Sequence, residues 1–369
     1  MKLIAKYCSC FVFSSMLLFG QIKEVNHQWK DIKKSDGKIK LTEIKTWGKE
    51  ANDYLKNPLD VTVDSKGNLY ISNTGEDEIR VFSNTGKVLR AIGRGGQGPG
   101  EFNHPNGVRI DSKDNLIVAD EFNNRVQIFI NGQTPLILRP KAELYSLKID
   151  KNDRILLKSG LNNHAEPKLH IYDYKGNLVG KIGSVNNPKN LKGVNAIMNN
   201  SFSFAADKKG NYYIANLSGS PCIEKYGSDG KMIMKINMKL CVPPKEVVIK
   251  EGAEGGGNMV LCFEVDAEGN IYVLVQRREL TDDEVKNYMP ASVMSMKKGT
   301  GEKKERIIAP KMRKGKYDLY MLVVFDTNGN LKGSKSIDYL VNNIEIAGDN
   351  IFILDSANDS VIHQYKIEK

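Results

Sequence analysis

One phrase recurs six times along this chain of 369 residues, and a tandem repeat of that kind restricts the fold more than any other feature of the sequence. The phrase is an alternating apolar strand, a tight turn usually led by Asp, and a second strand rich in β-branched and aromatic residues. Its copies are VTVDSKGNLYI from Val61, VRIDSKDNLIV from Val108, LKIDKNDRILL from Leu147, FAADKKGNYYI from Phe204, FEVDAEGNIYV from Phe263 and a shortened IEIAGDNIFIL from Ile344. Gly, Asn or Asp stands in each turn where positive φ or side-chain support is needed, so each copy reads as a β-hairpin.

Five copies are followed by a second hairpin, with turns in VFSNTGKVL from Val81, IFINGQTPL from Ile128, IYDYKGNLV from Ile171, KYGSDGKMI from Lys225 and VFDTNGNLK from Val324. Two successive hairpins make a four-stranded antiparallel sheet, and six such sheets in tandem predict an all-β, six-bladed β-propeller. The sixth repeat reaches the end of the chain without a fourth strand, while IKLTEIKTWG from Ile39 precedes the first repeat with no partner. The N-terminal strand is therefore expected to complete the last blade and close the ring, since an open array would leave edges that pair with other chains. A parallel solenoid would not need complementary partial repeats at its two ends.

The stretch IGRGGQGPGEFNHPNGVRIDSKDNLIVADEFNNRVQIF, from Ile92 to Phe129, resembles the repeat of the NHL family of six-bladed propellers, several of them exported bacterial proteins. It has that family's Gly-rich entry with Pro-Gly-Glu-Phe, then Pro, Asp, Val-Ala-Asp and Asn-Arg. Repeats one and two match well, the sixth matches partly through ILDSAND, and repeats three to five keep only the hairpins. The resemblance implies a scaffold that serves many purposes.

Residues 1–20 differ from everything that follows. Lys2 and Lys6 precede a mostly apolar run from Cys8 to Leu18, and Gly20 is a small residue before polar sequence begins, which reads as a secretion signal. The expected organisation is a signal at 1–20, a linker at 21–38 and the propeller at 39–369, with a basic insertion at 276–316 in blade five. The protein is then expected in the periplasm, at the cell surface or outside the cell, as a monomer that is not an integral membrane protein. Cys222, Cys241 and Cys262 would remain in the mature chain, an odd number that allows one internal disulfide at most and fits buried free thiols better.

Strand direction alternates within a blade, so the turns within hairpins share one face and the connections between hairpins and between blades share the other. All the long segments belong to the second face: 94–104, 159–168, 184–200, 237–257 and 276–316. Binding chemistry is expected there. Candidate ligand residues on it are Arg94, His104 and Asn106, the strand-end residues Asn73, Asp120 and Asn216, the loop residue His164, and Lys297, Lys298, Lys303 and Lys304 of the insertion. That insertion holds twelve Lys or Arg and six Asp or Glu, enough to draw in an acidic partner over a distance. Its basic residues have no interleaved aromatics, which argues against nucleic acid.

Two functions follow. The first is an exported, non-catalytic recognition scaffold for a protein or glycan, with no cofactor. The second is the one that the resemblance implies for its enzymatic members: a lyase or lactonase at the channel mouth that uses Zn or Ca, here through His104, Asp120 or Asn216. His104 and His164 are the only histidines in long-face connections, fewer than a zinc site requires, so no metal site is assigned. No Gly-x-Ser-x-Gly, HExxH or ordered Ser/His/Asp set is present.

Overall fold

The turn chemistry that marks each repeat in sequence is what closes each hairpin. Asp64 accepts hydrogen bonds from the backbone N–H groups of Lys66 (2.9 Å) and Asn68 (2.8 Å) and from the Asn68 amide (2.8 Å), while Gly67 takes φ of 80°. The same carboxylate clamp recurs at Asp111, Asp150, Asp207 and Asp266, with Asp114 and Asp153 holding the left-handed position in place of Gly. Neighbouring turns are tied around this face: Ser65 Oγ donates to Asp114 (2.5 Å), and Ser112 Oγ to Asp153 (2.6 Å).

The computed structural model describes residues 22–49, 53–130, 133–159, 167–184, 202–216, 221–239, 248–249, 253–254, 260–277, 319–338, 341–355 and 360–368. They form a six-bladed β-propeller of four-stranded antiparallel sheets. Blade 1 runs through Pro58–Val63, Leu69–Asn73, Glu78–Phe82 and Val88–Ile92, and blade 2 through Pro105–Ile110, Leu116–Asp120, Arg125–Phe129 and Leu136–Leu138. Blade 3 comprises Ala142–Ile149, Ile155–Ser159, Leu169–Tyr172 and Leu178–Ile182; blade 4, Phe202–Ala206, Tyr212–Asn216, Cys222–Tyr226 and Met232–Lys239. Blade 5 is Val260–Val265, Ile271–Gln276, Tyr320–Phe325 and Leu331–Ile337. Blade 6 begins with Asn343–Ala347, Asn350–Asp355 and Val361–Glu368.

Three elements precede blade 1: β1 (Lys23–Gln28), α1 (Trp29–Lys34) and β2 (Lys40–Trp47). As expected from the orphan strand, β2 is the fourth strand of blade 6, antiparallel to Val361–Glu368 from Lys40↔Glu368 to Trp47↔Ile362. Trp47 is fully buried between blades 6 and 1, edge-on to Phe82 at 5.7 Å, with its Nε1–H donated to Gln364 (3.2 Å).

The segment placed as a linker at 21–38 contains β1 and α1. Strand β1 lies parallel along the outer edge of blade 4, and α1 buries Trp29 and Ile32 in the core shared by blades 4 and 5. Asp36 then bridges to Ser334 and accepts from Ser336 on blade 5. The N-terminal segment is thus a belt across the outer edges of blades 4, 5 and 6. Its strand, KEVNHQ, has no apolar alternation, which is why the sequence does not announce it. Among the described residues, no helix is long and apolar enough to cross a membrane.

The first strand of every blade lies innermost, and neighbouring first strands touch around the axis. One equivalent position on these strands is occupied in turn by Thr62, Arg109, Lys148, Ala205, Glu264 and Glu345. Four of the six are charged, and they meet across the axis. Arg109 binds Asp60 (2.6 Å) and Glu345 (3.4 Å), and Lys148 binds Glu345 (3.2 Å) and Glu264. Burial raises the Asp60 pKa against the pull of Arg109 and Lys148, and burial together with Arg109 lowers that of Lys148. The centre of the ring is a plug of three carboxylates and two cations.

Candidate functional site at the long-loop mouth of blades 2 to 4

The Gly-rich segment 94–104 folds over Arg125 rather than over a ligand. The guanidinium donates to the carbonyls of Gln97, Gly98 and Glu101 at 2.7–2.8 Å, and its Nε donates to Asp120 (2.7 Å). Gly93, at φ of 82°, lies so close to the buried Phe102 ring that a Cβ there would fall 2.2 Å from it, which explains one of the glycines by close approach. Arg94 reaches outward and pairs with Glu101 (2.8 Å).

The strand-end residues singled out in sequence support turns. Asp120 accepts from the Asn103 N–H (2.7 Å) as well as from Arg125, and Asn73 bridges the Lys56 N–H (2.6 Å) and Glu78 (2.8 Å). Asn216 accepts from Lys168 and donates to Cys222 Sγ (3.1 Å). His104 is held at φ of 61° by its N–H bond to Asp77 (2.7 Å), and its Nδ1 lies 3.1 Å from Glu121. Cys222 and Cys262 are buried free thiols. His164 and Lys297, Lys298, Lys303 and Lys304 lie outside the described residues, and among those that are described no three His, Cys, Asp or Glu side chains gather into a metal-sized group. Among the described residues, His104, Asp120 and Asn216 are each hydrogen-bonded to protein groups and do not gather into one metal-sized set.

What does come together joins His104 and Asn106, both singled out in sequence, to residues that were not. His104 stacks on Phe122 at 4.4 Å and 11°, and Phe122 is 63% exposed. Glu121 joins the pair to Asn106, which donates to it at 2.8 Å. Burial would raise the Glu121 pKa, but the hydrogen bonds from His104 and Asn106 more than offset it and hold the carboxylate below its ordinary range. Tyr145 of blade 3 is 37% exposed, and burial, a hydrogen bond to Glu143 and the Glu121 charge all keep its phenol protonated.

Deeper in the same mouth lie two lysines. The Lys158 ammonium sits between the Tyr145 ring (4.6 Å) and the Phe202 ring (5.0 Å), with the residue 8% exposed. Lys168, 1% exposed, places its ammonium 5.7 Å from the same Phe202 ring. Burial brings the Lys158 pKa down to about 8, a shift that the Glu143 charge opposes, and burial likewise lowers that of Lys168.

Comparison with known proteins agrees with the architecture. The family model DUF5128, described as a 6-bladed beta-propeller, matches residues 54–130. Among solved structures, a DUF4221 member from Bacteroides vulgatus aligns at a TM-score of 0.60 and 13% identity, over 89% of this chain and 98% of that one. A Bacteroides fragilis protein whose name proposes export aligns at 0.53 and 9% identity, over 94% and 100%. A gluconolactonase from Xanthomonas campestris aligns at 0.48 and 12% identity, over 90% and 91%. Likeness at these identities is one of fold. No curated protein matches the sequence.

A buried, desolvated lysine costs stability, and sites that carry such a cost are enriched in function. Lys158→Met is therefore expected to unfold at a higher temperature than the parent at pH 7. The folded protein loses the Lys158 proton near pH 8 and the unfolded chain near its ordinary 10.5, so the parent gains stability as pH rises between them. Thermal melts at pH 7 and 10.5 check this: the advantage of the Met variant should shrink at the higher pH, and a constant difference would contradict it.

Proposed function

We propose that this ring is an exported, non-catalytic recognition scaffold of the NHL-repeat kind that binds a glycan on its long-loop face. The observation that carries the reading is the distribution of exposed aromatic rings. Tyr54, Phe122 and Tyr145 all lie at the long-loop ends of blades 1 to 3, whereas the exposed aliphatic side chains, apart from Ile22 ahead of β1, lie on outer strands: Ile44, Leu89, Leu136, Ile137, Leu178, Val179 and Ile233. A sugar ring offers a face of C–H groups and a rim of hydroxyls. Phe122, fixed flat by His104 and edged by Glu121 and Asn106, meets both requirements. A protein partner would call for a larger continuous apolar patch than these separated rings provide. The basic insertion at 276–316 adds long-range attraction for an acidic glycan.

Mature protein lacking the signal segment, tested against a panel of neutral and acidic polysaccharides, should retain at least one of them. Phe122→Ala should weaken that binding by about tenfold or more while leaving the melting temperature unchanged, because an exposed ring contributes little to the core. Undiminished binding by the variant, or no polysaccharide bound by the parent, would remove the glycan reading.

A further inference from the structure

Just after the turn between its third and fourth strands, blade 1 shifts register. Phe82 pairs with Val88 and Val81 with Arg90, which leaves Leu89 as the extra residue of a β-bulge. Val179, Ile233 and Lys332 are the extra residues at the same place in blades 3, 4 and 5. A bulge re-aims its extra side chain away from the regular ladder, and Leu89, Val179 and Ile233 are 44–48% exposed. Folding does not require an aliphatic group there, because Lys332 fills the position in blade 5. Blade 2 has no such shift but exposes Leu136 and Ile137 just after its own turn. Exposed aliphatic groups thus run along the short-turn ends of the outer strands of blades 1 to 4.

These outer strands carry charge of one sign. The fourth strands of blades 1 to 5 contain Arg90, Lys181, Lys235, Lys239, Lys332 and Lys335, and no Asp or Glu. The chain also enters the ring at this end. Lys23 opens β1 with its ammonium on the Asn328 carbonyl in the short turn of blade 5 (2.9 Å), next to the exposed Ile22. The apolar run from Cys8 to Leu18 lies a few residues before it in sequence. Separate aliphatic groups set among cations suit a bilayer surface, where each side chain inserts on its own and the cations meet the headgroups. A protein partner would favour one continuous apolar patch.

We infer that the short-turn rim of blades 1 to 4 docks on a lipid bilayer with anionic headgroups, burying Leu89, Leu136, Ile137, Leu178, Val179 and Ile233 at the headgroup level. Docked in this way, the ring holds its long-loop mouth away from the membrane. The inference stands apart from the glycan reading, since it uses none of the residues of that mouth.

The test sediments mature protein, lacking the signal segment, with vesicles of phosphatidylcholine alone and with vesicles that also contain phosphatidylglycerol. The mixed vesicles should bind it about tenfold more tightly. Leu89→Ser, Val179→Thr and Ile233→Thr combined should weaken that binding by about tenfold and leave the melting temperature unchanged, because the three side chains are exposed. If the combined variant does not fold, the single variants serve, each with an expected loss of about twofold. Arg90→Gln with Lys181→Gln should reduce the preference for the anionic lipid by about tenfold. A parent that does not bind the mixed vesicles, or aliphatic variants that bind them as tightly as the parent, would overturn the docking surface. Polyglutamate serves as the probe for an acidic protein. If the parent binds it as tightly as the mixed vesicles, the rim is a surface for acidic proteins and the membrane assignment fails.

Discussion

Lys148→Met is expected to lower the unfolding free energy by about 3–5 kcal/mol, the cost of removing one partner from a buried ion pair. The Lys148 ammonium joins blade 3 to Glu264 of blade 5 and Glu345 of blade 6. Without it, Glu264 keeps its place in the plug but has lost the cation it faces. Glu345 is protected in part by Arg109, so Glu264 carries most of the loss. Adding Glu264→Gln to Lys148→Met should therefore recover a large share of the stability, and the double variant should be more stable than the sum of the single ones predicts. Urea denaturation of all three variants at pH 7 gives the coupling. A Lys148→Met variant within about 0.5 kcal/mol of the parent would show that the plug is hydrated and contributes no more than a surface pair.

This plug was present in the sequence, but not in a form that hydrophobic pattern reveals. The six repeats were recognisable because apolar alternation, the Asp-led turn and the glycine or aspartate at positive φ all specify the same hairpin. The residue between the two apolar positions of each first strand, in VTV, VRI, LKI, FAA, FEV and IEI, reads as an outward-facing polar residue of a half-buried strand. In a ring of first strands that side faces the axis, so Arg109, Lys148 and Glu264 are buried there and the half-buried Glu345 pairs with both cations. Aligning the repeats position by position and noting two basic and two acidic residues in one column would have found them.

The candidate site was legible only as a face. Loop length pointed to one end of the blades, and His104 and Asn106 lie within the mouth at that end. Asn73 and Asp120 serve their turns. Phe122, Tyr145, Lys158, Lys168 and Phe202 were passed over because each stands in an ordinary strand or turn, and their convergence depends on how blades 2, 3 and 4 sit side by side. No spacing within one repeat encodes it.

Removing residues up to Gly48 should be far more damaging than removing those up to Ile39. The longer deletion takes away β2, so Val361–Glu368 becomes an open edge, and the hydrophobic cluster between blades 6 and 1 loses Trp47. Loss of a buried Trp alone costs about 3–5 kcal/mol, and the unpaired edge adds a route to association. The shorter deletion removes β1 and α1 with Trp29 and Ile32, yet leaves β2 paired and the ring closed. It should give a monomer that still unfolds cooperatively, at a lower denaturant concentration. The longer deletion should lose cooperative unfolding and self-associate on size exclusion. A synthetic peptide spanning residues 39–48 should restore both properties when added in excess, because antiparallel pairing with the open edge does not require a covalent connection. A ring that stays monomeric and cooperative without β2 would mean that contacts between blades 1 and 6 suffice for closure. The N-terminal strand would then be an ornament of blade 6 and not its closure.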